Sequence, residues 1–132
     1  MLLLSTFNHI YTNEEINMTK RFEIFQGTNT QYYFRLKSAN NEIILASEGY
    51  TTKANCHNGI QSVKSHSPYD SYYKRLNSAN GQYYFTLTAS NGQVIGVSEM
   101  YTTTQARENG ISAVKRDAPT APVIDLTLRQ VG

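Results

Sequence analysis

Between residues 20 and 128 the spacing of apolar residues changes in a fixed order. Arg21–Gln26, Gln31–Lys37 and Glu42–Ser47 place large apolar residues beside polar ones at a period near two, which predicts strands with one buried face. From Lys53 to Lys64 the period lengthens. Ile60 and Val63 stand three residues apart, no proline interrupts them, and one helical face collects both. Thr51-Thr52 offer N-cap hydroxyls to this helix, and Lys64 closes it where the helix dipole favours a cation. The order then recurs: strands at Tyr72–Asn77, Gln82–Thr88 and Gln93–Ser98, and a helix over Thr104–Lys115. Ala39-Asn40-Asn41 and Ser90-Asn91-Gly92 are the turns between the second and third strands, because Asn and Gly tolerate positive φ. A last apolar run, Val123–Leu128, reads as one more strand.

The recurrence is a duplication with a spacing of 51 residues. Tyr32-Tyr33-Phe34 returns as Tyr83-Tyr84-Phe85, Tyr50-Thr51-Thr52 as Tyr101-Thr102-Thr103, and Asn58-Gly59-Ile60 as Asn109-Gly110-Ile111. The same offset carries Phe22 to Tyr73 and Tyr73 to Ile124, so the last strand is a partial third copy. Each helix keeps a central glycine, Gly59 or Gly110, at a cost of about 1 kcal/mol against alanine. Retention in both copies predicts that helix and sheet approach closely there. A unit of about 50 residues buries little apolar surface by itself. Two units that pool their strands into one sheet, with both helices on one face, solve that problem, and Tyr72–Asn77 is placed to serve both halves. The expected fold is therefore α+β: two tandem β-β-β-α units plus a C-terminal strand in one antiparallel-rich sheet. Residues 20–128 form a single domain, divided into repeat one (20–70), repeat two (71–121) and the C-terminal strand (122–128).

This pattern resembles the YegP-like family of small bacterial tandem-repeat proteins. The resemblance is carried by Tyr32, Phe34 and Leu36 with Tyr83, Phe85 and Leu87, by Asn40/Asn91, Ile44/Ile95, Ser47/Ser98 and Tyr50/Tyr101, and by the Gly-Ile-x-x-Val-Lys helix ends. It covers about residues 20–128 and implies a single sheet from two β(3)-α-β units with exchanged C-terminal strands. It brings no catalytic or binding residues with it. Segment 1–17 departs from the family pattern.

Composition narrows the function classes. A chain of 132 residues suits one domain, and its 39% hydrophobic content is enough for a core without a staple. A single cysteine excludes an internal disulfide and a cysteine-rich zinc module. The formal net charge of +2 argues against a strongly basic arm or an acidic tail. Leu2-Leu3-Leu4 is too short for a signal h-region and lacks a basic start, and no apolar run approaches a membrane span. Residues 1–19 are expected to be a disordered extension outside the fold. The compartment is expected to be the cytoplasm.

No constellation of nucleophile, base and orienting group emerges. His57 faces Glu108 at the repeat offset and His66 faces Asp117, so neither histidine recurs. A metal site from His57, His66 and Asp70 is a forced grouping. The expectation is a non-enzymatic structural or interaction module, with no cofactor, no metal and a protein partner. It is expected to be a monomer, because duplication supplies the partner a single unit needs. Two surfaces are candidates for binding. Ser47, Glu48 and Tyr50 with Ser98, Glu99 and Tyr101 read either as twinned recognition loops or as a structural set in which Ser ends the strand, Tyr packs and Thr caps. The sheet face opposite the helices presents Tyr33, Arg35, Lys37 and Tyr84, and aromatic and cationic side chains so placed suit nucleic acid as an alternative ligand.

Overall fold

Seven strands in the order β4-β5-β6-β3-β2-β1-β7 build one mixed sheet in the computed structural model, which describes Thr12 and residues 19–128. The expected extension 1–19 lies, apart from Thr12 and Thr19, outside the described residues. Repeat one contributes β1 (Arg21–Gln26), β2 (Tyr32–Lys37), β3 (Ile43–Ala46) and helix α1 (Lys53–His66). Repeat two contributes β4 (Tyr73–Asn77), β5 (Tyr83–Thr88), β6 (Val94–Val97) and α2 (Thr104–Asp117), and β7 (Val123–Asp125) follows. β7 is the first half of the segment expected at 122–128. Beyond it the chain turns, with the Asp125 carboxylate accepting from the Thr127 N–H at 2.9 Å, and Leu126 and Leu128 are exposed.

The strand period works out as expected in β2 and β5, where Phe34, Leu36, Phe85 and Leu87 are fully buried. A β-bulge follows at the same place in each repeat, after Leu36 and after Leu87. It turns two successive residues inward, Ile44 with Leu45 and Ile95 with Gly96. Positive φ also falls at equivalent positions, Thr30 with Gly81 and Asn41 with Gly92. The turn geometry is therefore inherited by both copies, and only repeat two has glycine to relieve it. Both helices begin at the expected caps: the Thr52 hydroxyl accepts from the Asn55 N–H at 3.1 Å and the Thr103 hydroxyl from the Ala106 N–H at 3.0 Å. Their buried stripes, Cys56-Gly59-Ile60-Val63 and Gly110-Ile111-Val114, close the core against the sheet.

The repeats join at the centre, where β3 and β6 pair antiparallel through Ala46 and Val97. This makes an approximate two-fold arrangement with β1 and β4 as the outer strands. β4 pairs with β5 alone. β7 breaks the symmetry by adding to β1 in parallel, Phe22 opposite Val123, held by the Phe22 N–H to Pro122 C=O and Leu126 N–H to Ile24 C=O bonds, both 2.8 Å.

One pair that fails to repeat, Cys56 and Arg107, lies where the covering of the two halves differs. Cys56 is buried beneath the added C-terminal segment, and burial together with the Asp125 charge pushes its thiol up to about 11. At the uncovered β4 edge its counterpart is Arg107, which donates to the Leu76 carbonyl at 3.3 Å. Beside it Arg75 forks onto Glu108 and reaches Asp70, which also takes Lys115. Charged side chains on an exposed edge discourage pairing with another chain.

Candidate binding clefts

The Ser-Glu-x-Tyr-Thr-Thr segments are anchored by their own first and fourth residues. The Ser47 hydroxyl accepts from the Phe34 N–H and the Ser98 hydroxyl from the Phe85 N–H, each at 2.9 Å. Tyr50 exchanges two backbone bonds with Tyr32, and Tyr101 does the same with Tyr83. Each ring then stacks on a core phenylalanine: Tyr50 on Phe34 at 6.2 Å and Tyr101 on Phe85 at 6.4 Å between centroids. The tyrosine tips end over Gly59 and Gly110, where an added Cβ would lie 2.8 Å from the ring Cζ in both copies. That is the close helix approach the repeated glycines predicted. Serine and tyrosine are thus framework, while Glu48 and Glu99 remain exposed at the surface.

What these tyrosines frame is a pair of clefts that single-sequence reading missed. The larger, about 580 Å³, lies between the β2–β3 hairpin of repeat one (Asn40, Glu42, Ile44) and Tyr101, Asn109 and Gly110 of repeat two. The smaller, about 290 Å³, lies between the β5–β6 hairpin of repeat two (Asn91, Gln93, Ile95) and Tyr50, Asn58 and Gly59 of repeat one. Every residue of the smaller lining has its counterpart at the repeat offset in the larger, which adds Ala39 and Arg116, and each cleft takes one wall from either copy. On the far side of each tyrosine a second hollow continues the groove. One of about 510 Å³ is bounded by Glu42, Ile43, Glu99 and Met100, and one of about 380 Å³ by Glu48, Gly49 and Val94. Of the expected recognition residues, Glu48 and Tyr50 line one of these hollows and Glu99 and Tyr101 the other, whereas Ser47 and Ser98 are spent inside the sheet. Burial, and secondarily the Glu42 and Glu99 charges, raise the Tyr101 phenol above its ordinary value, so it stays a neutral hydroxyl.

The opposite sheet face is organised around an anion. Glu23 is 3% exposed and takes Arg21 and Arg35 at 2.8 Å each, with Lys37 at 3.6 Å. Although burial pushes its carboxyl up, the two guanidinium bonds outweigh that and hold it below the usual carboxylate range. Arg35 also lies 4.6 Å over Phe25, which stacks on Tyr33. Tyr33, Arg35 and Lys37 therefore stand together. Tyr84 does not join them, because β5 is three strand spacings from β2, on the order of 14 Å.

The histidines are separate as well. His66 ends α1, giving its Nδ1 hydrogen to the Ser62 carbonyl at 2.7 Å and taking the Ser90 N–H on Nε2 at 3.1 Å, and so ties the helix to the other repeat's hairpin. Asp70 is held by Arg75 and Lys115. Among the described residues no group of three or more histidine, cysteine or carboxylate side chains is placed to hold a metal, and no helix is long and apolar enough to cross a membrane.

A family model described as a domain of unknown function, DUF1508, matches this chain twice, over residues 28–73 and 78–125. The chain belongs to the DUF1508 family. The two matches restate the duplication, each running from the loop before a hairpin, through its helix, into the strand that follows. Among relatives of this DUF1508 protein, a UPF0339 protein of Bordetella pertussis is 54% identical over 104 residues, spanning 79% of this chain and 94% of its own. The UPF0339 protein YegP of Escherichia coli K12 is 44% identical over 106 residues, 80% of this chain and 96% of that one. The solution NMR structure of the E. coli protein yegP, described as of unknown function, matches with a TM-score of 0.78 at 43% identity over 83% of this chain and 94% of that one. The NMR structure of a UPF0339 protein from Shewanella oneidensis does so equally, at 0.78 and 42% identity, over 83% of this chain and 92% of its own. The resemblance to the YegP-like family and the α+β fold it implied are both correct. Its relatives' names assign no chemistry.

Proposed function

We propose that this DUF1508 protein is a non-enzymatic interaction module, monomeric and cytoplasmic, whose binding surface is the pair of inter-repeat clefts. The observation that supports this reading is their construction. Each exists only because the two copies face one another, and the tyrosine, asparagine and glycine that shape each cleft are the residues the duplication kept. The larger cleft falls within the roughly 300–1,000 Å³ range of ordinary ligand sites. Its lining supplies amide, hydroxyl and carboxylate groups but no base set beside a nucleophile, which suits recognition rather than turnover. A single buried thiol suits a reducing compartment.

Nucleic acid binding through Tyr33, Arg35, Lys37 and Tyr84 is supported less well, since Glu23 occupies both cations and Tyr84 stands apart. Titrating ¹⁵N-labelled protein with a peptide library and with single- and double-stranded oligonucleotides separates the readings. Peptide-induced shifts clustered at Asn40, Asn109, Asn58 and Asn91 fit the clefts. Salt-sensitive oligonucleotide shifts confined to β1 and β2 overturn the cleft reading.

A further inference from the structure

The duplication gives an internal comparison, because two equivalent clefts have kept different charges. We infer that the larger cleft docks an extended, basic segment of a protein partner; this deepens the cleft reading and rests on it. Among the described carboxylates, Glu23, Asp70, Glu108, Asp117 and Asp125 are all ion-paired. Glu42, Glu48 and Glu99 pair with no cation among the described residues, and all three stand on the cleft rims. Two of them, Glu42 from the hairpin and Glu99 from the loop before α2, flank Tyr101 on the larger cleft. In the smaller cleft Gln93 stands where Glu42 would, leaving Glu48 alone.

The apolar part of the rim has diverged in the same direction. Met100 is 47% exposed beside Glu99, where the other copy has Gly49. A flexible thioether next to two unpaired carboxylates matches a lysine or arginine side chain, whose aliphatic stem needs a shelf and whose head needs an anion. Arg116, the one cation among the described residues lining this cleft, is already forked onto Asp117 at 2.9 Å through Nε and Nη2, so its charge is answered. Shape argues for a chain rather than a compact metabolite. The 580 Å³ and 510 Å³ spaces share Glu42 and Tyr101 and form one elongated groove past the tyrosine edge. Along it the Tyr101 hydroxyl, which has no hydrogen-bond partner among the described residues, is available to a peptide backbone.

The test is fluorescence anisotropy on the full chain with three labelled octapeptides that alternate threonine with lysine, glutamine or glutamate. The lysine peptide is expected to bind best and to weaken several-fold between about 50 and about 300 mM salt, as exposed charges are screened. Glu42→Gln/Glu99→Gln, both changes on exposed side chains, is expected to weaken it about tenfold without altering the melting temperature. Asn109→Trp, which fills the cleft from an exposed helix position, is expected to abolish it. Equal binding of the glutamine peptide, or an unchanged affinity in the double glutamate variant, overturns the basic-segment inference. In that case loss of binding in Asn109→Trp leaves the cleft reading standing. Full binding by Asn109→Trp overturns the cleft reading itself, and no binding of the lysine peptide at low salt overturns the inference.

Discussion

Replacing Gly110 by alanine sets two known effects against each other, and the structure decides the sign. In an unobstructed helix the change stabilises by about 1 kcal/mol. Here the new Cβ would press on the Tyr101 hydroxyl, 2.8 Å from the ring Cζ and 3.2 Å from Cε2 of Phe85. Neither ring can yield easily. Tyr101 is pinned by two backbone bonds to Tyr83 and stacked on Phe85, which is fully buried. Overpacking a rigid core site costs roughly 1–3 kcal/mol. Gly110→Ala is therefore expected to lose up to about 2 kcal/mol by equilibrium urea unfolding, with an unchanged m-value. The informative measurement repeats the change in a Tyr101→Ala background. With the ring gone the propensity gain should stand alone, and the same substitution should then stabilise by about 1 kcal/mol. That difference is a coupling of about 1–3 kcal/mol between the two positions. If Gly110→Ala stabilises the otherwise native chain, or has the same sign in both backgrounds, the close-approach explanation of the repeated glycine is wrong.

Removing the carboxylate of Glu23 by Glu23→Ala leaves Arg21, 2% exposed, without its counter-ion beside the like charges of Arg35 and Lys37, with the Thr19 carbonyl and the Asn41 side-chain oxygen as its remaining acceptors. A loss of about 3–5 kcal/mol in urea unfolding is expected, and a loss below about 1 kcal/mol would show that the cluster is solvated. Asp70 is held at about 2 by Arg75 first and Lys115 second. Since its folded value lies below its unfolded one, its contribution is present above about pH 4 and is lost as pH falls towards 2. Carboxyl-detected NMR titration should show Asp70 rising towards its ordinary value in Lys115→Ala, and an unmoved titration contradicts the contact. Truncation after Pro119 removes fully buried Ala121, half-buried Val123 and Ile124, and the ladder on β1. It is expected to cost about 3 kcal/mol or more and to broaden the melt, whereas an unchanged cooperative melt would show that β7 is dispensable.

Local pattern carried most of the architecture. Thr52 and Thr103 named the helix starts because a cap is a contact three residues long. The 51-residue offset named β7 because a third copy needs no knowledge of its neighbours. The clefts were not legible for the opposite reason. Whether Asn40 faces Asn109 depends on which repeat's hairpin lies under which helix, and that is fixed only when β3 meets β6. Glu23 was within reach and overlooked. Arg21 and Glu23 are two residues apart on one strand, so they share a face, and the hairpin register sets Glu23 opposite Arg35. Positions that fail to repeat were discounted as candidates, yet Arg107 and Glu108 report the difference between a covered and an uncovered edge.

The parallel seating of β7 on β1 bears on copy number. Sequences made of direct repeats gain and lose units by unequal recombination, and each gain must find something to attach to. Here the central ladder is saturated, because β3 and β6 already hold each other through Ala46 and Val97. The strand that opens a third copy closes on the first unit. A complete third unit inserted in frame would find neither a central strand to join nor, once β7 is seated, the outer edge of β1. Only the charged β4 edge would remain. With β3 on β6 and β7 on β1, the sheet itself limits where another unit could join.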